Sequence, residues 1–407
     1  MSLSQSPTLA KVAKGDLCTG CGLCAGVSQG AIQMETVAPG YTRPHQVAPI
    51  SDAVEKVIKT ACPGSIVGPW TQAPHRHPYW GPYFQSLTGY ATDPKVRHAG
   101  SSGGGITSLA LFALETGLVD RVLHVLPDPA HPTRNVMAWS DRPEDVLIGA
   151  GSRYAPSSPL GQIEEALADG RRFVFIGKPC DVAALRQLAK VDARVAEKVP
   201  LMLSFYCAGI PSHNAADKVI RAMGLEPQAV TSFRYRGNGW PGLTIARTDD
   251  GQQGEMRYAE SWGKHLSGQV QYRCKICPDG VGGAADIACA DAWYGDDGGY
   301  PKFEEQDGRS LIMSRTATGD ALLRKAIEAG RVAVDPLDVN DIDHMQPGQT
   351  RRKRVLLARL AATVVTFQPR PVMAGLDIAL AAKRAGFQEK LKNFIGSVRR
   401  IVTKRRH

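Results

Sequence analysis

No stretch of eighteen consecutive apolar residues occurs in this 407-residue chain, so no membrane-spanning helix is expected. Met1 to Asp16 lacks an apolar core, and no secretory signal peptide is expected. Aromatic residues are scarce at 7%, so aliphatic side chains must fill most of the interior. Acidic residues nearly vanish from the end of the chain. Arg351 to His407 holds fifteen Lys and Arg against two acids, a local charge of +13. The remainder carries 34 basic and 37 acidic residues, near −3, so the formal +10 belongs to an appendage. It gives no reason to expect a nucleic-acid partner for the body. Disulfide pairing fits poorly, because the cysteines number nine and cluster by spacing. That usage suits metal ligation in a reducing compartment, and the default location is cytoplasmic.

What the chain does have is a run of thiols. Cys18, Cys21 and Cys24 form C-x2-C-x2-C, joined by the small residues Thr19, Gly20 and Gly22. This spacing lets the backbone curl so that three sulfurs point inward, and Cys62-Pro63 has the form of the distant fourth ligand in bacterial ferredoxins. In a two-cluster ferredoxin a further cysteine follows the third by four residues, where this chain has Ser28. A second trio would stand at Asp52, Glu55 and Ile58. The pattern reads as a two-cluster ferredoxin fold that retains one 4Fe-4S cluster. A zinc knuckle or a disulfide framework is the competing reading.

Residues 1–16 read as a loose lead-in and residues 69–82 as a linker whose histidines, His75 and His77, are exposed polar groups. Gly100 to Gly105, a Gly/Ser loop, opens into a helical pattern with apolar residues at 106, 109, 110, 113 and 114. Bare amides at a helix start suit a phosphate. The loop lacks a Walker lysine, and no strand obviously precedes it as in a Rossmann fingerprint, so a plain flexible loop competes.

Strands are then predicted over 121–126, 173–176 and 199–206, with helices over 143–148, 161–167, 181–190 and 212–223. This alternation predicts an α/β body with a largely parallel sheet. Short antiparallel strands follow at 233–236, 243–247 and 256–258. A strand at 311–314, a helix at 319–329 and a strand at 332–334 close the body.

A second thiol set is less regular. Cys274-x2-Cys277 is half a zinc site, a redox pair or half a cluster site. Cys180 and Cys207 each follow a predicted strand. The four could hold another 4Fe-4S cluster, or Cys180 and Cys207 are small buried hydrophobes. Cys289 sits in an apolar strand-like run and reads as packing.

Several motifs together carry a resemblance. They are the ferredoxin-like cysteines, Gly100-Ser-Ser-Gly-Gly104, Gly151-Ser-Arg-Tyr154, Gly177-Lys-Pro-Cys180, Phe205-Tyr-Cys207, Tyr272-Arg-Cys-Lys-Ile-Cys277, and Ala285-Asp-Ile287 to Asp291-Ala-Trp293. Over roughly residues 15–335 the chain resembles the beta subunit family of coenzyme F420 (deazaflavin) hydrogenases and dehydrogenases. That broad family includes 7-hydroxymethyl chlorophyll a reductase and ferredoxin-dependent divinyl chlorophyllide reductase.

The resemblance implies an α/β (mixed α+β) iron–sulfur flavoprotein. Residues 1–70 would form the ferredoxin-like 4Fe-4S module. Residues 80–165 and 166–345 would form the two parts of an FAD-binding body, and residues 350–407 a basic helical tail. The metal ligands would be Cys18, Cys21, Cys24 and Cys62, then Cys180, Cys207, Cys274 and Cys277. Ser101, Ser102, Gly103, Gly104, Gly105, Ser152, Arg153 and Tyr154 become candidates to hold FAD. Lys178 departs from the uncharged residue expected before Pro-Cys; it would pair with a flavin phosphate or face solvent.

The implied activity is an oxidoreductase passing electrons between a ferredoxin, two clusters and FAD to reduce a small organic substrate. The alternatives are a deazaflavin-coenzyme hydrogenase or dehydrogenase beta-type subunit and, in another class, a non-catalytic electron-transfer adaptor. No acid or base is identified; His265, Asp279 and Asp291 are the titratable groups nearest the motifs and read as structural.

Phe387, Leu391, Phe394, Ile395, Val398, Ile401 and Val402 form one apolar helical stripe, flanked by Lys390, Lys392, Arg399, Arg400, Lys404, Arg405 and Arg406. Such a helix lies on an anionic membrane surface, docks an acidic partner such as a ferredoxin, or packs on the body.

Overall fold

Eight strands form the central sheet of the computed structural model, which describes residues 5–295 and 301–403. In chain order they are β1 (Gln85–Ala91), β2 (Arg121–Pro127), β3 (Asn135–Ser140), β4 (Phe173–Gly177), β5 (Leu201–Phe205), β6 (Ile287–Asp291), β7 (Ser310–Ser314) and β8 (Val332–Pro336). Across the sheet they run β8-β1-β7-β6-β5-β4-β2-β3. Among the described strands of this sheet, parallel pairing joins β2, β4, β5 and β6. Those four are short and almost wholly apolar, as strands covered on both faces must be.

The expected largely parallel sheet is therefore half right. β3 pairs antiparallel on one edge, and β7, β1 and β8 continue antiparallel on the other. β1 and β3 carry mixed polar sequences and were not foreseen. β1 inserts between two strands more than 200 positions later, a pairing with no local signal. It also supplies the strand missing before the glycine loop, with one helical turn and a half (Pro94–Ala99) between them.

Two apolar layers cover the sheet. On one face, helices Gly105–Glu115 and Ala317–Glu328 pack Leu109, Ala113 and Leu323 against Val174, Leu203 and Ile312. On the other, helix Pro179–Leu188 packs Val182 and Leu185 against Phe173 and Phe175. Cys21, Leu23 and Ala61 join that second layer, so the thiol-bearing N-terminal module shares the core of the body.

The loose lead-in and the linker are both corrected. Pro7–Lys14 is a helix capped by Ser6, and the Glu55 carboxylate accepts from the hydroxyls of Ser6 and Thr8. In the 69–82 stretch Tyr79 and Trp80 are fully buried and His77 is 5% exposed, stacked beside Trp80. The aromatic residues there were the overlooked signal: Trp70, Tyr79 and Trp80 anchor their own apolar cluster.

Burial has a titration consequence. His124 on β2 is 5% exposed, shares a 2.8 Å hydrogen bond with the Ser140 hydroxyl, and is pushed down to about 4 by burial. The unfolded chain protonates this imidazole more readily, so its contribution is complete above about 6.5 and is lost as pH falls toward 4. Between pH 7 and pH 5 the loss is about 2 kcal/mol. Urea unfolding across that interval is expected to show stability falling with pH, and His124→Gln to flatten the slope. An unchanged slope in the variant would contradict the assignment.

Candidate functional site

The first four thiols converge. Gly20 and Gly22 adopt left-handed φ of 77° and 84°, curling the loop as a side-chain-bearing residue would not readily allow. A Cβ on Gly22 would lie 2.9 Å from the Gly161 amide nitrogen, so the loop presses directly on the body. The Gly20 amide points at Cys18 Sγ at 3.3 Å. Cys24 senses Cys21, Cys62 and Cys18 electrostatically, and burial first, then those neighbours, push its thiol well up. Cys62 is pushed up to about 11, by burial first and then Cys18.

The second four also converge. Cys180 is the second residue of helix Pro179–Leu188, which begins just after β4. Cys207 lies two residues beyond β5, and Cys274 and Cys277 belong to a short helix, Tyr272–Lys275, and the turn after it. Cys180 senses Cys207 and Cys274, and Cys207 senses Cys274 and Cys277. Burial pushes Cys207 up to about 12. Gln271 links the sets: its amide nitrogen lies 3.6 Å from Cys274 Sγ and 3.4 Å from the Thr19 carbonyl. Among the described residues no group of three or more His, Cys, Asp or Glu is close enough to hold a single metal ion. Cys289 is 2% exposed in the sheet interior, in keeping with a packing role.

A cavity of about 260 Å³ opens over the carboxyl ends of the parallel strands. This is the general location of ligands in such sheets. Of the sequence-predicted residues, Ser101, Ser102, Gly104, Gly105, Ser152, Arg153, Tyr154 and Lys178 line it. Gly103 instead faces the backbone of Gly308 and Arg309. The amides of Ser101, Ser102, Gly103 and Gly104 find no acceptor among the described residues, although both glycines are buried. Unpaired amides on buried residues are rare, and amides left free at a helix start suit an anion. A Cβ on Gly104 (φ 73°) would lie 2.6 Å from the Val96 carbonyl oxygen. The Ser152 hydroxyl donates to Ser101 at 2.8 Å, tying the two loops together. Arg153 is spent on Asn135 Oδ1 (2.6 Å) and two carbonyls, so it braces the rim.

Lys178 neither faces solvent nor stands free. It is 4% exposed, its Nζ lies 2.7 Å from Asp181 Oδ2, and it donates to Ser157 at 2.9 Å. Burial alone would pull this ammonium down, but Asp181 and then Cys180 hold it above the usual lysine range. Asp181 in turn is felt by Cys21 and Cys180, one from each thiol set.

The opposite wall was not foreseen. Arg236, 1% exposed, makes a two-pronged contact with Asp291 at 2.9 and 2.5 Å, and the Trp240 indole donates to the same carboxylate at 2.8 Å. Its guanidinium lies over the rings of Tyr258 (4.5 Å) and Trp293 (4.9 Å), which line the cavity. Asp291 is thus structural and cavity-lining at once. Asp279 accepts from the amides of Val281 and Gly283, a structural role, and His265 lies in the π-helical turn Ser261–Leu266. The alternation Phe233-Arg-Tyr-Arg236 was the available hint, since a strand with arginines inward needs a buried acceptor.

The tail folds as helices Pro347–Val365, Ile378–Lys383 and Phe387–Val402. No described helix is long and apolar enough to cross a membrane. Lys404, Arg405 and Arg406 lie outside the described residues.

Comparison with known proteins gives a consistent answer. A model of the N-terminal part of the coenzyme F420 hydrogenase/dehydrogenase beta subunit matches residues 86–164, and one of its C terminus matches residues 170–340. Coenzyme F420 hydrogenase subunit beta of Methanothermobacter thermautotrophicus is 25% identical over 66% of this chain and 88% of its own length. F420-dependent formate dehydrogenase 1 subunit beta of Methanococcus maripaludis is 28% identical over 56% of this chain and 58% of its own length. A chain from the F420-reducing NiFe hydrogenase complex of Methanosarcina barkeri shares the fold, with a TM-score of 0.52, 21% identity, and coverage of 70% of this chain and 96% of that one. The chain belongs to the coenzyme F420 hydrogenase/dehydrogenase beta subunit family.

Proposed function

We propose that this chain is an electron-transfer oxidoreductase subunit that exchanges reducing equivalents with a deazaflavin coenzyme. In this reading each thiol set carries a 4Fe-4S cluster and the central cavity holds FAD. The names of its relatives favour this partner over the ferredoxin-linked reduction of an organic substrate expected first. The observation that carries the reading is continuity: Asp181 borders the cavity and is felt by a thiol of each set, while Gln271 bridges the sets.

The donor chemistry fits. Four neighbouring thiols, in the first set with Cys21 and Cys24 buried, can be carried together as thiolates only beside a compensating positive charge, which iron would supply. Cys18, Cys21, Cys24 and Cys62 would hold one cluster and Cys180, Cys207, Cys274 and Cys277 the other, each supplying one-electron transfer. FAD rests on the loop: the orphan amides of Ser101, Ser102 and Gly104, which line the cavity, would take its phosphates. When bound, FAD couples one-electron to two-electron transfer.

The chain's own residues set the surroundings. Lys178, fixed by Asp181 and Ser157, places a buried positive charge at the cavity floor. Arg236 and Trp240 lock Asp291 on the opposite side. Tyr258, Trp262 and Trp293 wall off water.

The test is anaerobic. Reduced coenzyme F420 is expected to reduce the purified protein, seen as loss of flavin and cluster absorbance, faster than reduced ferredoxin does. Reduction by ferredoxin alone would restore the first reading. Iron without any flavin would leave an electron-transfer adaptor.

A further inference from the structure

The tail lies outside the residues matched by either family model, and the body leaves part of it uncovered. Helix Phe387–Val402 runs alongside helix Pro347–Val365 in the same direction, pinned by Arg354 to Glu389 (3.3 Å) and Arg359 to Asn393 (2.9 Å). Its apolar stripe is divided. Phe394, Val398 and Ile401 pack inward with Val12, Leu17 and Leu356. Phe387, Leu391, Ile395 and Val402 form the outer edge and are 77%, 44%, 55% and 69% exposed.

The neighbouring helix adds to this edge. The shared direction brings its last turn level with the end of helix Phe387–Val402, and there Val364 and Val365 are about half exposed. Just beyond, Phe367 is 90% exposed and held at a left-handed φ of 52°. Lys392 and Arg399 stand exposed beside the outer edge, and neither forms an ion pair among the described residues. A line of large apolar side chains bordered by unpaired cations is costly in water and has few matching surfaces.

We propose that this two-helix tail seats the protein on an anionic lipid surface. The outer apolar edge enters the boundary between headgroups and acyl chains, and the flanking cations lie over lipid phosphates. An acidic protein would match the cations but would leave Phe367 and Phe387 without an apolar counterpart. The inference is independent of the cofactor reading above.

The test uses full-length protein with vesicles of phosphatidylcholine, with and without phosphatidylglycerol. Sedimentation is expected with the anionic vesicles, at least about tenfold stronger than with phosphatidylcholine alone, and weakened by salt. The triple variant Phe387→Ser, Ile395→Ser, Val402→Ser should lose binding while keeping its urea-unfolding midpoint, because these positions are exposed. Failure of the parent protein to sediment with either vesicle would overturn the proposal. So would equal binding by the triple variant, or a dimer in sedimentation velocity that the triple variant abolishes while neither protein binds lipid.

Discussion

Cys207→Ser protein, purified without oxygen, is expected to carry about half the iron and acid-labile sulfide of the parent, about four irons per chain in place of about eight. Cys207 is the natural position to test because it follows β5 and owes nothing to the ferredoxin-like loop. It senses Cys274 and Cys277, and Cys180 senses it, so it belongs to the second set by position in space. Cys289→Ser is the control: that thiol is packed among Ile287, Ile312 and Leu203 in the sheet interior, and its loss should leave the iron unchanged. Equal iron in Cys207→Ser and the parent would remove the second cluster from the proposal, and Cys180 and Cys207 would then be buried hydrophobes.

Lys178→Met is the second large effect, and it concerns stability. Lys178 and Asp181 are 4% and 1% exposed and 2.7 Å apart. Removing the ammonium leaves a carboxylate sealed from water with, among the described residues, only the Lys178 amide, 3.1 Å away, donating to it. Breaking a buried pair from one side costs about 3–5 kcal/mol. The double variant Lys178→Met, Asp181→Leu is expected to recover most of that loss, because the desolvation cost disappears with both charges. Urea unfolding of the two variants decides the point. Equal destabilisation in both would mean that the lysine stem, through packing, matters more than the charge. The double variant also removes the charge that both thiol sets feel, so the reduction potential of its clusters should move even where stability returns.

How much was readable beforehand follows from where each signal resides. The C-x2-C-x2-C loop is local: three thiols and two left-handed glycines lie within seven positions, and their spacing alone sets how the backbone curls. The parallel strands were legible because burial on both faces makes them continuous apolar runs. The glycine loop was legible as a loop opening into a helix, though not its unpaired amides.

Other features depend on partners far along the chain. β1, Gln-Ser-Leu-Thr-Gly-Tyr-Ala, has no apolar period, and only its place between β7 and β8 makes it a strand. Arg236 and Asp291 are 55 positions apart, and neither announces the other. Lys178 was expected to pair with a flavin phosphate or face solvent; the fold buries it beside Asp181, one helical turn on and buried with it.

By itself, then, the amino-acid sequence determined the family, the thiol spacing, the apolar parallel strands and the amphipathic character of the tail, since each is written in neighbouring residues. Tertiary structure alone decided the antiparallel half of the sheet, the charged walls of the cavity and which half of the tail's apolar stripe stays in water. Those depend on which distant surfaces meet, and a burial cost or a charge pairing exists only once they have met.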